Sequence, residues 1–360
     1  MKRVLVVVPN LRICNGVASY IMNYFRCIDH SCIQMDFVVL KDIASPYYAE
    51  IQENGGNIFT MPSPKQLVPY CRRIRSLYAE GHYDVLHCNV TNAGIPYLYY
   101  AKKMDIPKRI LHCHATRSAE VKWKEIRNDM LTPLALKNAN IFFACSHMAG
   151  DSLFGKRPYT VIHNALDLSV FRYQPHIRDM MRRELNLEGK FVIGTVGRLA
   201  HQKNPYFALD VFREVLKRQK NAVYLWIGSG PLDAQVRQYA EELHLGEHMR
   251  FLGNREDVDQ LYQVMDVFFL PSLYEGLPVV GIEAQACGLP VVVSDTVTKE
   301  MKVTDGVTFL SLQSEKKEWA QSLLHLYKYE RADTANYIQK SGYEIHAEAK
   351  KLQNLYFTLS

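Results

Sequence analysis

The sequence predicts two doubly wound α/β domains, each built on a parallel sheet. Three observations lead there. Short apolar runs alternate with helical patterns along the chain, as they do in repeated βα units. The length, 360 residues, exceeds what one core comfortably fills. Polar loops carrying glycine, proline and charge follow several apolar runs, and doubly wound sheets hold ligands at the carboxyl ends of their strands. Composition fits a soluble globular protein, at 48% hydrophobic and 22% charged. No apolar run approaches the ~18–20 residues of a membrane span. The opening run Val4–Val8 is too short for a signal segment and reads as a buried strand. Eight cysteines are scattered without a Cys-x-x-Cys pair, which favours reduced thiols over disulfides or zinc.

In the first half, strands are expected at Val4–Val8, Met35–Leu40, Asn57–Met61, Val85–Cys88, Arg109–Cys113 and Ile141–Ala144. Helical patterns fall between them, as at Ala18–Ile28 and Pro64–Glu80. After the first strand, Gly16 precedes a helix and would let the backbone approach an anion. The loop lacks the Gly-x-Gly-x-x-Gly dinucleotide pattern; Asn15 stands just before Gly16 and tolerates left-handed dihedrals. His112 and His114 share one face of a strand end, with no further metal ligands identifiable nearby. His87 ends an earlier strand, and Ser146 is placed to cap a helix.

The second half opens with an Arg-rich helix, Ile177–Leu185, and a buried strand, Phe191–Val196. Arg198 and Lys203 lie on the following loop, just before a helix. Two cations near a helix N-terminus suit a diphosphate. Strand Ala222–Ile227 leads into Gly228-Ser-Gly-Pro; the third glycine is missing, so a dinucleotide site is rejected. Asp257-Val-Asp259 could hold a divalent ion, but at a helix start it reads as capping. Strand Val267–Leu270 then gives way to a loop with Glu275 and Gly276, and Pro278 sits where a first helical turn begins. That helix carries Glu283 and runs to Cys287, Gly288 stops it, and Val291–Val293 is the next strand. A last strand is expected at Val307–Leu310, then helices at Lys316–Tyr327 and Arg331–Ser341, then an amphipathic tail.

Glu275 and Glu283, with seven residues between them, and Gly276-Leu277-Pro278 resemble the Glu-x7-Glu motif of retaining GT-B glycosyltransferases, family 4. Further similarities follow in the family's order: the loop at Gly16, the strand end at His114, the segment His163-Asn-Ala-Leu-Asp-Leu-Ser-Val-Phe171, and the Gly197-Arg…Lys203 loop. Asn15 and Ala165 stand where the family usually has glycine. The resemblance implies two Rossmann-like domains facing each other across a cleft. Residues 1–165 with a returning tail, 343–360, would form the acceptor side, and 166–342 the donor side. It implies that Glu275 and the backbone of Gly276, Leu277, Pro278 and Val279 hold the donor sugar, and that Glu283 holds the ribose. Arg198 and Lys203 would stabilise the leaving diphosphate, Gly16 would approach it, and His114 would reach the reacting region. Leu252–Arg255, Asn254 among them, would meet the base.

The implied reaction moves a hexosyl group from a nucleotide-diphosphate sugar, a UDP-sugar foremost, to a hydroxyl of a glycan or polyprenyl-diphosphate-linked glycan. Configuration is retained and no metal or cofactor is needed. As the glycosidic bond breaks, negative charge grows on phosphate, and fixed cations and N–H dipoles stabilise it. A glycosidase would not need those cations. Two alternatives remain, a non-catalytic nucleotide-sugar-binding subunit and a sugar-nucleotide epimerase of the same fold. Residues 1–165 hold 20 Lys and Arg against 12 Asp and Glu, a net +8; residues 166–360 hold 23 against 25, a net −2. A basic first domain suits an anionic membrane or a diphosphate-linked acceptor. No nucleic-acid module is recognisable. The expected setting is cytoplasmic, peripheral on the inner membrane face, in bacterial capsule or exopolysaccharide synthesis.

Overall fold

A computed structural model describes residues 1–13, 16–115 and 122–358; the side chains of Lys122 and Lys124 fall outside it, as does Asn15. The chain forms two compact units, Met1–Ala165 with Glu344–Ser360, and Leu166–Tyr343.

The first unit strings together β1 (Lys2–Val8), α1 (Gly16–Cys27), β2 (Ile33–Val39), α2 (Tyr47–Glu53), β3 (Ile58–Thr60), α3 (Leu67–Gly81) and β4 (Val85–Cys88). It continues with α4 (Ile95–Lys103), β5 (Lys108–Cys113), α5 (Lys122–Asn138), β6 (Ile141–Ala144), α6 (His147–Phe154) and β7 (Thr160–Val161). The sheet order is β3-β2-β1-β4-β5-β6-β7. Every pairing is parallel, as where Val4 lies between Met35 and Val85. Val4–Val8 is buried throughout because helices cover both faces, so the strand reads as a continuous apolar run. Its alternate residues divide the core. Val4, Val6 and Val8 pack with residues of α1 and α2; Leu5 and Val7 pack with residues of α3, α4, α5 and α6. Ser146 caps α6, its Oγ accepting from the Ala149 N–H at 3.1 Å.

The second unit comprises α7 (Pro175–Glu184), β8 (Phe191–Val196), α8 (Pro205–Arg218), β9 (Ala222–Ile227), α9 (Asp233–Glu242), β10 (Met249–Gly253) and α10 (Val258–Val264). Then come β11 (Val267–Leu270), α11 (Val279–Ala286), β12 (Val291–Ser294), β13 (Val307–Leu310), α12 (Lys316–His325) and α13 (Ala335–Lys340). The sheet order is β10-β9-β8-β11-β12-β13, again all parallel. The helix expected at Arg331–Ser341 starts later, because Arg331 is used elsewhere. Its guanidinium donates to the carbonyls of Tyr262, Met265 and Cys287.

The chain then returns to the first unit as α14 (Ile345–Thr358). Ala349, Leu352 and Tyr356 are buried beside α1 and β1. Lys108 Nζ donates to the carbonyls of Tyr356 and Phe357 at 2.8 and 2.9 Å, a cation on the open end of that helix. Leu166 N–H donates to the Tyr343 carbonyl at 2.9 Å, so the chain enters and leaves the second unit at adjacent points.

Candidate active site

The strand order of the second sheet reverses between parallel neighbours β8 and β11, so the loops that follow these strands open beside each other. The loop after β8 carries exposed Arg198, a short 3-10 turn at His201–Lys203, and Asn204 in the left-handed region. The loop after β11 carries Glu275 and ends at Pro278, which has extended backbone and caps α11 from outside its first turn. The sequence places Pro278 inside that turn; the helix instead begins one residue later, at Val279, and the Gly281 N–H already donates to the Pro278 carbonyl at 2.9 Å, so the N–H groups of Val279 and Val280 are the ones that precede the intrahelical bonds.

An ion pair ties the two loops. Lys203 Nζ lies 2.6 Å from Glu275 Oε1, and both side chains are almost buried. Gln202 Nε2 donates to Glu275 Oε2 and to the Tyr274 carbonyl, each at 3.1 Å. Ser272 Oγ donates to Glu275 Oε1 at 2.8 Å. Glu275 is thus fixed by three side chains from two loops. Glycine makes the arrangement possible. A Cβ at Gly197 would sit 2.7 Å from Lys203 Cε, and one at Gly228 would sit 2.3 Å from the Gly197 carbonyl oxygen. Behind them, Asn254 Oδ1 accepts from Ser229 N–H at 3.1 Å and Ser229 Oγ at 3.0 Å, joining the loops after β9 and β10.

Glu283 stands one turn into α11. The Tyr262 hydroxyl donates to its Oε2 at 2.7 Å. It keeps some exposure, yet its surroundings are apolar enough that burial pushes its carboxyl up to about 7, against the opposing effect of the Tyr262 bond. Asp259 lies in the first turn of α10, as expected, and Asp257 departs from the expectation in its bonding. Asp257 occupies the cap position of α10 but makes no side-chain cap bond. Arg255 takes both its oxygens instead, at 2.7 and 2.5 Å. Among the described residues, no group of three or more His, Cys, Asp and Glu side chains is placed to hold a metal ion.

In the first unit, β1 and β4 flank the corresponding reversal. Gly16 opens α1, and a Cβ there would meet no atom within 4 Å, so packing does not demand glycine. His114 follows β5, and its Nε2 lies 2.8 Å from Asn89 Oδ1, at the end of β4. An amide oxygen only accepts, so Nε2 carries the proton and Nδ1 is left as an acceptor. Burial holds His114 at about 3, hence neutral. Its ring stacks on His112 at 4.1 Å. His112 Nδ1 meets His87 Nε2 at 3.0 Å, and His87 Nδ1 meets the Tyr356 hydroxyl at 2.6 Å, a buried chain reaching α14. His87 is likewise lowered to about 3, by burial and then by the neighbouring His114.

Sequence reasoning did not single out Gln202, Ser272, Asn89 or Tyr262. The first three sit on loops already under suspicion, so strand-end position was their signal. Tyr262 reads as a core residue of an amphipathic helix, and nothing local marks its hydroxyl.

Comparison with known proteins gives this arrangement a family. The description "Glycosyltransferase Family 4" matches residues 14–170, and "Glycosyl transferases group 1" matches residues 177–345. The putative glycosyltransferase EpsF of Bacillus subtilis is 30% identical over 371 residues, covering 99% of this chain and 96% of that protein. A UDP-Gal:alpha-D-GlcNAc-diphosphoundecaprenol alpha-1,3-galactosyltransferase of Escherichia coli is 28% identical, covering 66% of this chain and 64% of that one. The crystal structure of Anabaena HepE in complex with UDP and glucose superposes at a TM-score of 0.82 with 17% identity, covering all of both chains. The chain belongs to the family 4 glycosyltransferases and has the GT-B fold.

Proposed function

We propose that this protein transfers a hexosyl group from a UDP-sugar to a hydroxyl of a glycan or polyprenyl-diphosphate-linked glycan, with retention and without a metal. The observation that carries the reading is the Lys203–Glu275 pair at the reversal of the second sheet, with Arg198 on the same loop. A lysine ammonium has three protons. One faces Glu275, and two remain for diphosphate oxygens. Arg198 and the first N–H groups of α11 add donors where charge grows on the leaving group. Glu275, oriented by Gln202 and Ser272, meets the sugar hydroxyls, with the backbone of Gly276, Leu277, Pro278 and Val279 beside it. Glu283 takes the ribose hydroxyls through the oxygen that Tyr262 does not use. Asn254 borders the base. The first unit contributes Gly16 on the phosphate side and neutral His114, which accepts from a substrate hydroxyl through Nδ1. The departing diphosphate takes the acceptor proton, so no separate base is required. Names of the relatives support the substrate class: the Escherichia coli protein is named for a UDP-sugar donor and a diphosphoundecaprenol-linked acceptor. We extend this reading to polysaccharide synthesis at the cytoplasmic membrane face, with the basic first unit in contact with anionic lipid.

Turnover and binding across a panel of nucleotide sugars, with and without EDTA, test it in wild type, Glu283→Ala and Arg198→Ala. One donor should be transferred to an added acceptor with EDTA present, and both variants should lose it. Conversion of donor alone would indicate an epimerase, binding without turnover a non-catalytic subunit, and EDTA sensitivity a metal role.

A further inference from the structure

The two helix layers of the first unit differ in charge. On one side of the sheet lie α1, α2 and α14, whose residues include three Lys and Arg and three Asp and Glu, a net charge of zero. On the other lie α3, α4, α5 and α6, with nine Lys and Arg against four Asp and Glu, a net +5. Much of the basic excess therefore sits on one face. Arg72 and Arg75 of α3 and Lys102 and Lys103 of α4 are all exposed there.

The same face carries an apolar stripe on α5. Trp123, Ile126, Met130 and Leu134 are spaced by three, four and four residues, which aligns them on one side of a helix. They are 60, 57, 77 and 48% exposed. Buried Ala135 anchors the opposite side of α5 to the core. The Arg127 guanidinium lies 5.6 Å from the Trp123 ring centroid, as interfacial cation–aromatic pairs do. Four large apolar side chains aligned in water, bordered by cations, are costly unless something covers them.

We propose that the α3–α4–α5 face is a membrane-docking surface, with the α5 stripe entering the headgroup region of an anionic bilayer. Charge selects this occupant. Without α6 and its Asp151 this face is +6, so a second copy meeting the first through it would set +6 against +6. A nucleic acid would satisfy the cations but leave the stripe uncovered. An anionic bilayer satisfies both, since basic residues draw the helix to the surface and the apolar row enters it. The inference rests on the reading above, in which the acceptor is anchored in a membrane, and it assigns that contact to particular residues.

Tryptophan supplies a built-in reporter. The chain has three; Trp226 and Trp319 are fully buried, so Trp123 alone can respond to lipid by changing its solvent exposure. The full-length protein is mixed with vesicles of phosphatidylcholine, alone or with phosphatidylglycerol. It should sediment only with the latter, release as salt rises, and shift its emission to the blue; Trp123→Phe should abolish the shift. Ile126→Glu with Met130→Glu should weaken sedimentation at least tenfold, and Arg72→Glu with Lys103→Glu should do the same at low salt. Both double variants should keep their thermal midpoint and their turnover on a water-soluble acceptor. Equal binding by the Ile126/Met130 variant, or no binding to either vesicle, would overturn the proposal. So would a lipid-free dimer that this variant dissolves. Loss of turnover in wild type with vesicle binding intact would instead count against the catalytic reading alone.

Discussion

At the scale of single residues, the site mixes groups held by charge with groups held by burial. Lys203 and Glu275 stabilise each other in a nearly dry setting. Lys203→Ala strands a carboxylate there and should cost about 3 kcal/mol in urea denaturation. Lys203→Met combined with Glu275→Gln should regain most of that stability and no activity. Glu283 is the opposite case. Its carboxyl rises from 4.5 to about 7 in the folded chain, so the stability it contributes is full below pH 4.5 and is lost as pH climbs through 7. Glu283→Gln cannot titrate in that window. It should match wild type at pH 5 and exceed it at pH 8 by on the order of 2 kcal/mol, the shift being discounted for partial exposure. In the proposed role, ribose hydroxyls would donate to the ionised carboxylate, so wild-type affinity for a UDP-sugar should rise between pH 6 and 8. Calorimetry in two buffers of different ionisation enthalpy would show the released proton, and its absence would remove Glu283 from the ribose.

At the scale of elements, most strands were legible because burial on both faces leaves an unbroken apolar run. Val85–Cys88, Ile141–Ala144, Phe191–Val196 and Val267–Leu270 coincide with β4, β6, β8 and β11. Short helices fared worse. Nothing was assigned to Tyr47–Glu53, where a single buried residue, Ile51, provides no period to read. The glycines after β9 were visible, but their reason was not, since it lies in backbone of the loop after β8. Gly230→Ala would place a Cβ 2.4 Å from the Leu199 carbonyl oxygen. Backbone cannot retreat as a side chain can, so this variant should lose at least ~2 kcal/mol in denaturation and lose donor binding with it. The chain from Tyr356 through His87 and His112 was equally hidden, because Tyr356 and His87 lie 269 residues apart. Tyr356→Phe should cost ~1–3 kcal/mol, measured by thermal unfolding, by leaving His87 Nδ1 buried without its partner.

At the scale of the molecule, the second unit is an insertion in the first, entered and left where Leu166 bonds Tyr343. Residues 166–343 contain both layers of their own core, so this fragment should unfold in one cooperative step and bind the donor nucleotide when expressed alone. Residues 1–165 should not fold by themselves, because α14 supplies Ala349, Leu352 and Tyr356 to their core. Co-expression with residues 344–360 should restore a protease-resistant product; resistance without them would show the helix to be dispensable. The insertion also sets a schedule for synthesis. On the ribosome, the second unit is complete before the codons for α14 are translated, while the first waits without the helix that completes one layer of its core. The first unit, begun before the second, is completed after it. A nascent chain stalled within residues 166–343 therefore carries a second unit in the making and no finished first unit.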